Sequence, residues 1–168
     1  SRAFYRKIGY TQGRSGFPLS NTHLMARALG MFDICQYELV KGEVMSLPGS
    51  INSANIDLLQ FKTPFNDDPP YELPNHLGMA YAALLTTDLA SDVAFLKTLG
   101  TDLLSEPFGI SGDQFVFFRD PDGVLYKLIE KAPPHGDKDA DMHLIAMPYI
   151  GINVSDLEAS LEFYKKFG

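Results

Sequence analysis

Three stretches of this chain are copies of one another, and that repeat limits the possible folds more than any other feature. Residues 81–100 (YAALLTTDLASDVAFLKTLG) align with 149–168 (YIGINVSDLEASLEFYKKFG) at a constant offset of 68. The alignment pairs Tyr81 with Tyr149, Asp88 with Asp156, Phe95 with Phe163 and Gly100 with Gly168. The opening SRAFYRKIG matches SLEFYKKFG, so Phe4 answers Phe163 and Gly9 answers Gly168. Self-similarity at a fixed spacing marks a protein built from repeated supersecondary units.

Each copy has a local physical reading. An apolar run ends at Ser/Thr-Asp-Leu, where Asp88 or Asp156 can accept from the free amides of a new helix. Apolar residues then recur at helical spacing, as Leu89, Val93, Leu96 and Leu99 in one copy and Leu157, Leu161 and Tyr164 in the other. Gly100 and Gly168 stand where a left-handed residue closes a helix. Each copy therefore reads as a strand followed by an amphipathic helix, and residues 1–9 as the tail of such a helix. The two ends duplicate one helix, which predicts that the stretch belongs to a longer chain.

Between the copies, residues 10–30 read as loop with a short helical turn near His23 to Ala28. Residues 33–40 read as a strand, 42–49 as another short strand or turn, and 54–61 as a strand. The proline- and acid-rich stretch ending at Pro74 is a linker, and the charged stretch after Lys131 is a second. Strands are expected near Asp102, over 114–120 and over 124–131. Asp120-Pro121-Asp122-Gly123 forms a hairpin turn, since Pro presets φ and Gly accepts a positive one.

Composition narrows the function classes. The formal charge is −7 and no basic stripe offsets it, which argues against nucleic acid as a partner. No apolar run is long enough to span a bilayer. The single cysteine, Cys35, has no internal partner for a disulfide, which fits a cytoplasmic location. Phosphate loops and Ser–His nucleophile arrangements are not recognisable.

Strand, helix and three strands in tandem, with a DPDG hairpin before the last strand, resembles the vicinal oxygen chelate superfamily, the glyoxalase, bleomycin-resistance and extradiol-dioxygenase group. The resemblance is carried by Asp88-Leu89, Gly100, FRDPDGVLYKL (118–128) and the repeat copy over 149–168. It is strong over 75–131 and 148–168 and looser over 31–64. It implies an α+β fold in which tandem βαβββ modules pair into a cupped, partly open barrel. Residues 1–64 would form a first module lacking its leading strand, and 65–74 a linker. A second module would cover 75–131, followed by a linker over 132–147 and the start of a further module at 148–168.

The resemblance also implies where chemistry should sit. Enzymes of the superfamily usually place a His on the first strand of a module and a Glu on the last, holding a divalent metal with open positions. Imidazole and carboxylate suit zinc, iron, manganese or nickel. Here the first-strand position falls on Tyr81 and again on Tyr149, and the last-strand position falls on Lys127. Asp57 alone resembles the last-strand carboxylate. The expected site therefore needs no cofactor. Lys127 and Asp57 would act as an ion pair or catalytic pair on its floor, with Tyr81, Tyr149 and Arg119 as ligand-binding side chains. If a metal is bound, His76 and Asp57 are the donors to consider.

The plainer reading is that these side chains seal the interface between modules. His23, His135 and His143 read as loop residues, Phe115, Phe117 and Phe118 as core, and Asp120 and Asp122 as turn caps. Three functions stay open: a binder or diverged enzyme with a pocket for a small organic molecule, an aromatic one included; a metal-dependent lyase, isomerase or ring-cleaving dioxygenase; and a degenerate structural pair within a longer protein. Self-association as a homo-oligomer stays open as well.

Overall fold

A computed structural model describes residues 1–14, 26–27, 30–31, 37–50, 53–131 and 141–167, with the side chains of 12–14 left aside. Cys35, His23, His135, most of the expected turn near His23 and the heart of the second linker lie outside the described residues. The chain opens with helix α1 (Arg2–Lys7) and strands β1 (Thr11–Arg14), β2 (Glu38–Ser46) and β3 (Ile56–Thr63), an antiparallel meander in the order β1-β2-β3. Then come β4 (Gly78–Thr86), α2 (Leu89–Thr98), β5 (Asp102–Leu103), β6 (Phe115–Arg119), β7 (Leu125–Glu130), β8 (Leu144–Asn153) and α3 (Leu157–Tyr164). The second sheet has the order β5-β6-β7-β4-β8, with β4 parallel to β7 and antiparallel to β8.

Two sheets that do not close into a barrel give the expected α+β cup. Their edges meet where the Ala54 amide donates to the Met147 carbonyl at 3.3 Å and the Met147 amide to Ser53 Oγ at 2.9 Å. One detail differs from the sequence reading. β2 runs unbroken through Gly42, because its pairing with β3 continues across that residue, Gly42 opposite Leu59. Irregularities at Glu38/Leu39 and Leu39/Lys41 absorb the imperfect register.

Local chemistry sets the helix ends. Asp88 Oδ1 accepts from the Ser91 amide and Oδ2 from Ser91 Oγ, both at 2.9 Å. At the other end Gly100, at φ +69°, lets its amide reach the Lys97 carbonyl and the Thr101 amide reach that of Leu96, a Schellman closure. Asp156 caps α3 in the same way, accepting from the Ala159 amide at 2.9 Å.

The core lies on one face of the second sheet. Val116, Phe118, Tyr126, Leu128, Ala82 and Leu84 point to that side and meet Leu89, Val93 and Leu96 of α2. α1 joins the same core through Phe4, Tyr5 and Ile8 and also reaches Met45 on β2, so it bridges the two sheets. Its polar side holds the buried Glu43 of β2, with Arg2 Nε at 2.5 Å and Arg6 Nη2 at 3.7 Å. Among the described residues no helix is long and apolar enough to cross a membrane.

Candidate functional site

The face of the second sheet opposite the helices is where the expected residues gather. Directly opposed pairs set a row of Phe117, Lys127, Ala83 and Tyr149 across β6, β7, β4 and β8. A parallel row carries Arg119 opposite Leu125 and Tyr81 opposite Gly151, and a third carries Phe115, Ile129 and Leu85. Strand alternation accounts for the split, because Val116, Phe118, Tyr126 and Leu128 point the other way into the core.

The register of β4 on β8 is centred on the repeat itself. Ala82 pairs with Ile150, its own counterpart, while Tyr81 pairs with Gly151 and Ala83 with Tyr149. Equivalent strands thus meet about a local two-fold axis, which brings both tyrosines to one face. Their rings lie edge to face with centroids 6.5 Å apart, and Tyr81 meets Phe117 edge-on at 5.3 Å. Gly151 makes this possible: a Cβ there would lie 2.3 Å from the Tyr81 ring. Burial, and next the neighbouring Tyr81, pushes the Tyr149 phenol upward, so it stays a protonated donor.

Lys127 stands between Phe117 and Ala83 in the first of these rows. Its Nζ lies 4.0 Å from the centre of the Phe115 ring and 6.0 Å from that of Phe117, and no carboxylate pairs with it among the described residues. Asp57 is elsewhere. It lies on β3 of the other sheet, and no ion pair joins it to Lys127. Phe115 and Phe117, read from the sequence as core, are half-buried on the site face; only Phe118 of the three is core. The signal that distinguishes them is their alternation with Val116 and Phe118.

Arg119 is a fastening residue. Nη1 donates to the Gly123 carbonyl at 3.0 Å and Nη2 to the Glu72 carbonyl at 2.6 Å. It thereby holds the segment before β4 against the β6–β7 hairpin. That segment encloses a cavity of about 230 Å³ lined by Tyr71, His76, Met79, Tyr81 and Arg119. His76 stacks on Tyr71 with ring centres 3.6 Å apart.

A second, larger cavity of about 700 Å³ is lined by Tyr5, Lys41, Glu43, Asp57, Asp120 and Tyr126. Here Asp120 does more than cap its turn. Oδ1 accepts from the Asp122 and Val124 amides at 2.9 and 2.8 Å, while Oδ2 accepts from the buried Tyr5 hydroxyl at 2.7 Å. The Tyr5 and Tyr126 hydroxyls are 2.8 Å apart. Burial pushes Tyr126 up to about 12 and Tyr5 further upward, so both phenols stay protonated. Sequence reasoning missed this contact because Tyr5 and Asp120 are joined only by the packing of α1.

Among the described residues, the donors considered for a metal ion are not brought together. Among the described residues no three His, Cys, Asp or Glu side chains converge. Of the two donors considered, His76 is stacked on Tyr71 beside one cavity and Asp57 lines the other. His143, the other described histidine, is engaged elsewhere, with Nδ1 at 2.7 Å and its amide at 2.9 Å from Asp92 Oδ1.

No family model matches the chain, and no curated protein matches it by sequence. Solved structures do match. A glyoxalase family protein from Bacillus cereus superposes with a TM-score of 0.62 at 21% identity, covering 78% of this chain and 84% of that one. Glyoxalase I from Zea mays superposes with a TM-score of 0.63 at 18% identity, covering 98% of this chain. The chain spans 48% of the maize protein, about half its length.

Proposed function

Given that the chain has the fold of the vicinal oxygen chelate superfamily, we propose that it binds a small aromatic molecule on the sheet face around Lys127. The observation that carries this reading is a chain of rings from Tyr149 through Tyr81 to Phe117 and Phe115, ending at the Lys127 ammonium, on the side of the sheet that the helices leave uncovered. Ring edges and faces at these distances favour another flat ring. The pairing of β4 with β8 about Ala82 and Ile150 supports this reading, because it brings the equivalent tyrosines of two repeat copies onto the same face. In this reading the site is diverged: tyrosine and lysine stand where the superfamily resemblance expects metal donors, and the ligand is held by rings and a cation.

The test is ligand-observed NMR with benzamide and its saturated analogue, cyclohexanecarboxamide. Benzamide should bind more tightly, and Tyr81→Ala should weaken it by about 0.5–1.5 kcal/mol, the worth of one aromatic contact. Equal binding of the two amides, or indifference to Tyr81→Ala, would remove the basis for the proposal.

A further inference from the structure

We infer that the ligand of this face is an anion, a carboxylate carried on a flat apolar body. The inference rests on the reading above and adds the charge of what is bound. It comes from the distribution of charge on the sheet. The chain as a whole is acidic, with a net charge of −7. Yet across β6, β7, β4 and β8 the site face carries two cations, Lys127 and Arg119, and no carboxylate. The two acids in the strands of this sheet are placed away from Lys127. Asp102 shares the face of Arg119 but on the edge strand β5, two strands from β7, and Glu130 accepts from the Gly112 amide.

The two cations are not equivalent. Arg119 is already occupied by the Gly123 and Glu72 carbonyls. Among the described residues, Lys127 has the Phe115 and Phe117 rings and no carboxylate beside it, and it is half-buried. An ammonium removed from water without a carboxylate partner is incompletely compensated, since a ring quadrupole replaces hydration only in part. A ligand carboxylate would complete it, while the flat body behind that carboxylate would lie against Tyr81, Phe117 and Tyr149. A single unengaged ammonium, with no helix N-terminus among the residues that form the face, suits a monoanion better than a phosphate.

Dissociation constants for benzoate, benzamide and benzylamine, measured by NMR shift titration on the chain, test this directly. Benzoate should bind about tenfold more tightly than benzamide, as expected for one charge-assisted contact, with benzylamine weakest. The preference should vanish in Lys127→Met, persist in Lys127→Arg, and shrink as salt is raised. Circular dichroism on each variant establishes that it is folded. Benzamide binding as well as benzoate, or a benzoate preference that survives Lys127→Met, would overturn the anion inference and leave the aromatic site standing. Failure of all three probes to bind would bring down both.

Discussion

β4 with α2 and β8 with α3 share one sequence pattern, but their helices end in different surroundings. Leu89 is 2% exposed and its counterpart Leu157 is 62% exposed. The strands follow suit: Ala82 is 8% exposed against 49% for Ile150, and Leu84 0% against 39% for Ile152. Both helices have the same aspartate cap at the same distance. The cap and the apolar spacing are therefore local properties that each copy owns. Coverage is not. α2 lies on a sheet completed by β5, β6 and β7, whereas no side chain of α3 is buried. In the α1 copy, Phe4, Tyr5 and Ile8 are buried, while their counterparts Phe163, Tyr164 and Phe167 are exposed. The same pattern is satisfied wherever a surface arrives to meet it.

The largest expected difference between the copies is a matched pair of truncations. Leu89→Ala should lower the unfolding free energy by about 2–5 kcal/mol, because it empties a filled position in the core. Leu157→Ala should change it by no more than about 0.5 kcal/mol. Urea denaturation of both variants checks this, and equal losses would mean that α3 is packed against something in solution.

A smaller effect is expected at the two-fold axis, where the copies differ by a methyl group. Gly151 admits the Tyr81 ring, while its counterpart Ala83 lies opposite the more exposed Tyr149. Gly151→Ala should cost about 1–3 kcal/mol, the usual range for overpacking, and should move Tyr81 off Phe117. Near-ultraviolet circular dichroism and benzamide affinity should change together. A change in stability with an unaltered aromatic signal would separate the strand pairing from the site.

The smallest effect concerns the caps. Asp88→Ala should lower global stability by about 1 kcal/mol. Asp156→Ala should instead speed amide exchange over Leu157–Tyr164 and leave the urea midpoint in place. Hydrogen bonds from the Ser91 amide, and next from its hydroxyl, hold the Asp88 carboxyl below its ordinary range. With the folded value depressed, its contribution is complete above the ordinary Asp value of about 3.9 and is lost as pH falls through the folded value. Wild type should therefore lose stability relative to Asp88→Asn on acidification through that window, as read from urea midpoints across pH. A constant difference would show that the cap does not act through charge.

Much of this was legible in the sequence, and the legible part has a common cause. The strand–helix copies, the caps at Asp88 and Asp156, the closure at Gly100 and the turn from Asp120 to Gly123 all depend on residues within a few positions of one another. Backbone geometry and short-range hydrogen bonding decide them before any packing occurs. The alternation that sends Val116 and Phe118 inward and Phe115 and Phe117 to the site face was also present, as a period of two within a wholly apolar run. What the sequence could not decide was which distant surfaces meet. The hold of Arg119 on the Glu72 carbonyl, the contact of Tyr5 with Asp120, the separation of Asp57 from Lys127, and the burial of one copy's helix but not the other's are all set by tertiary packing. Burial is a property of two surfaces, and a sequence repeat specifies only one of them.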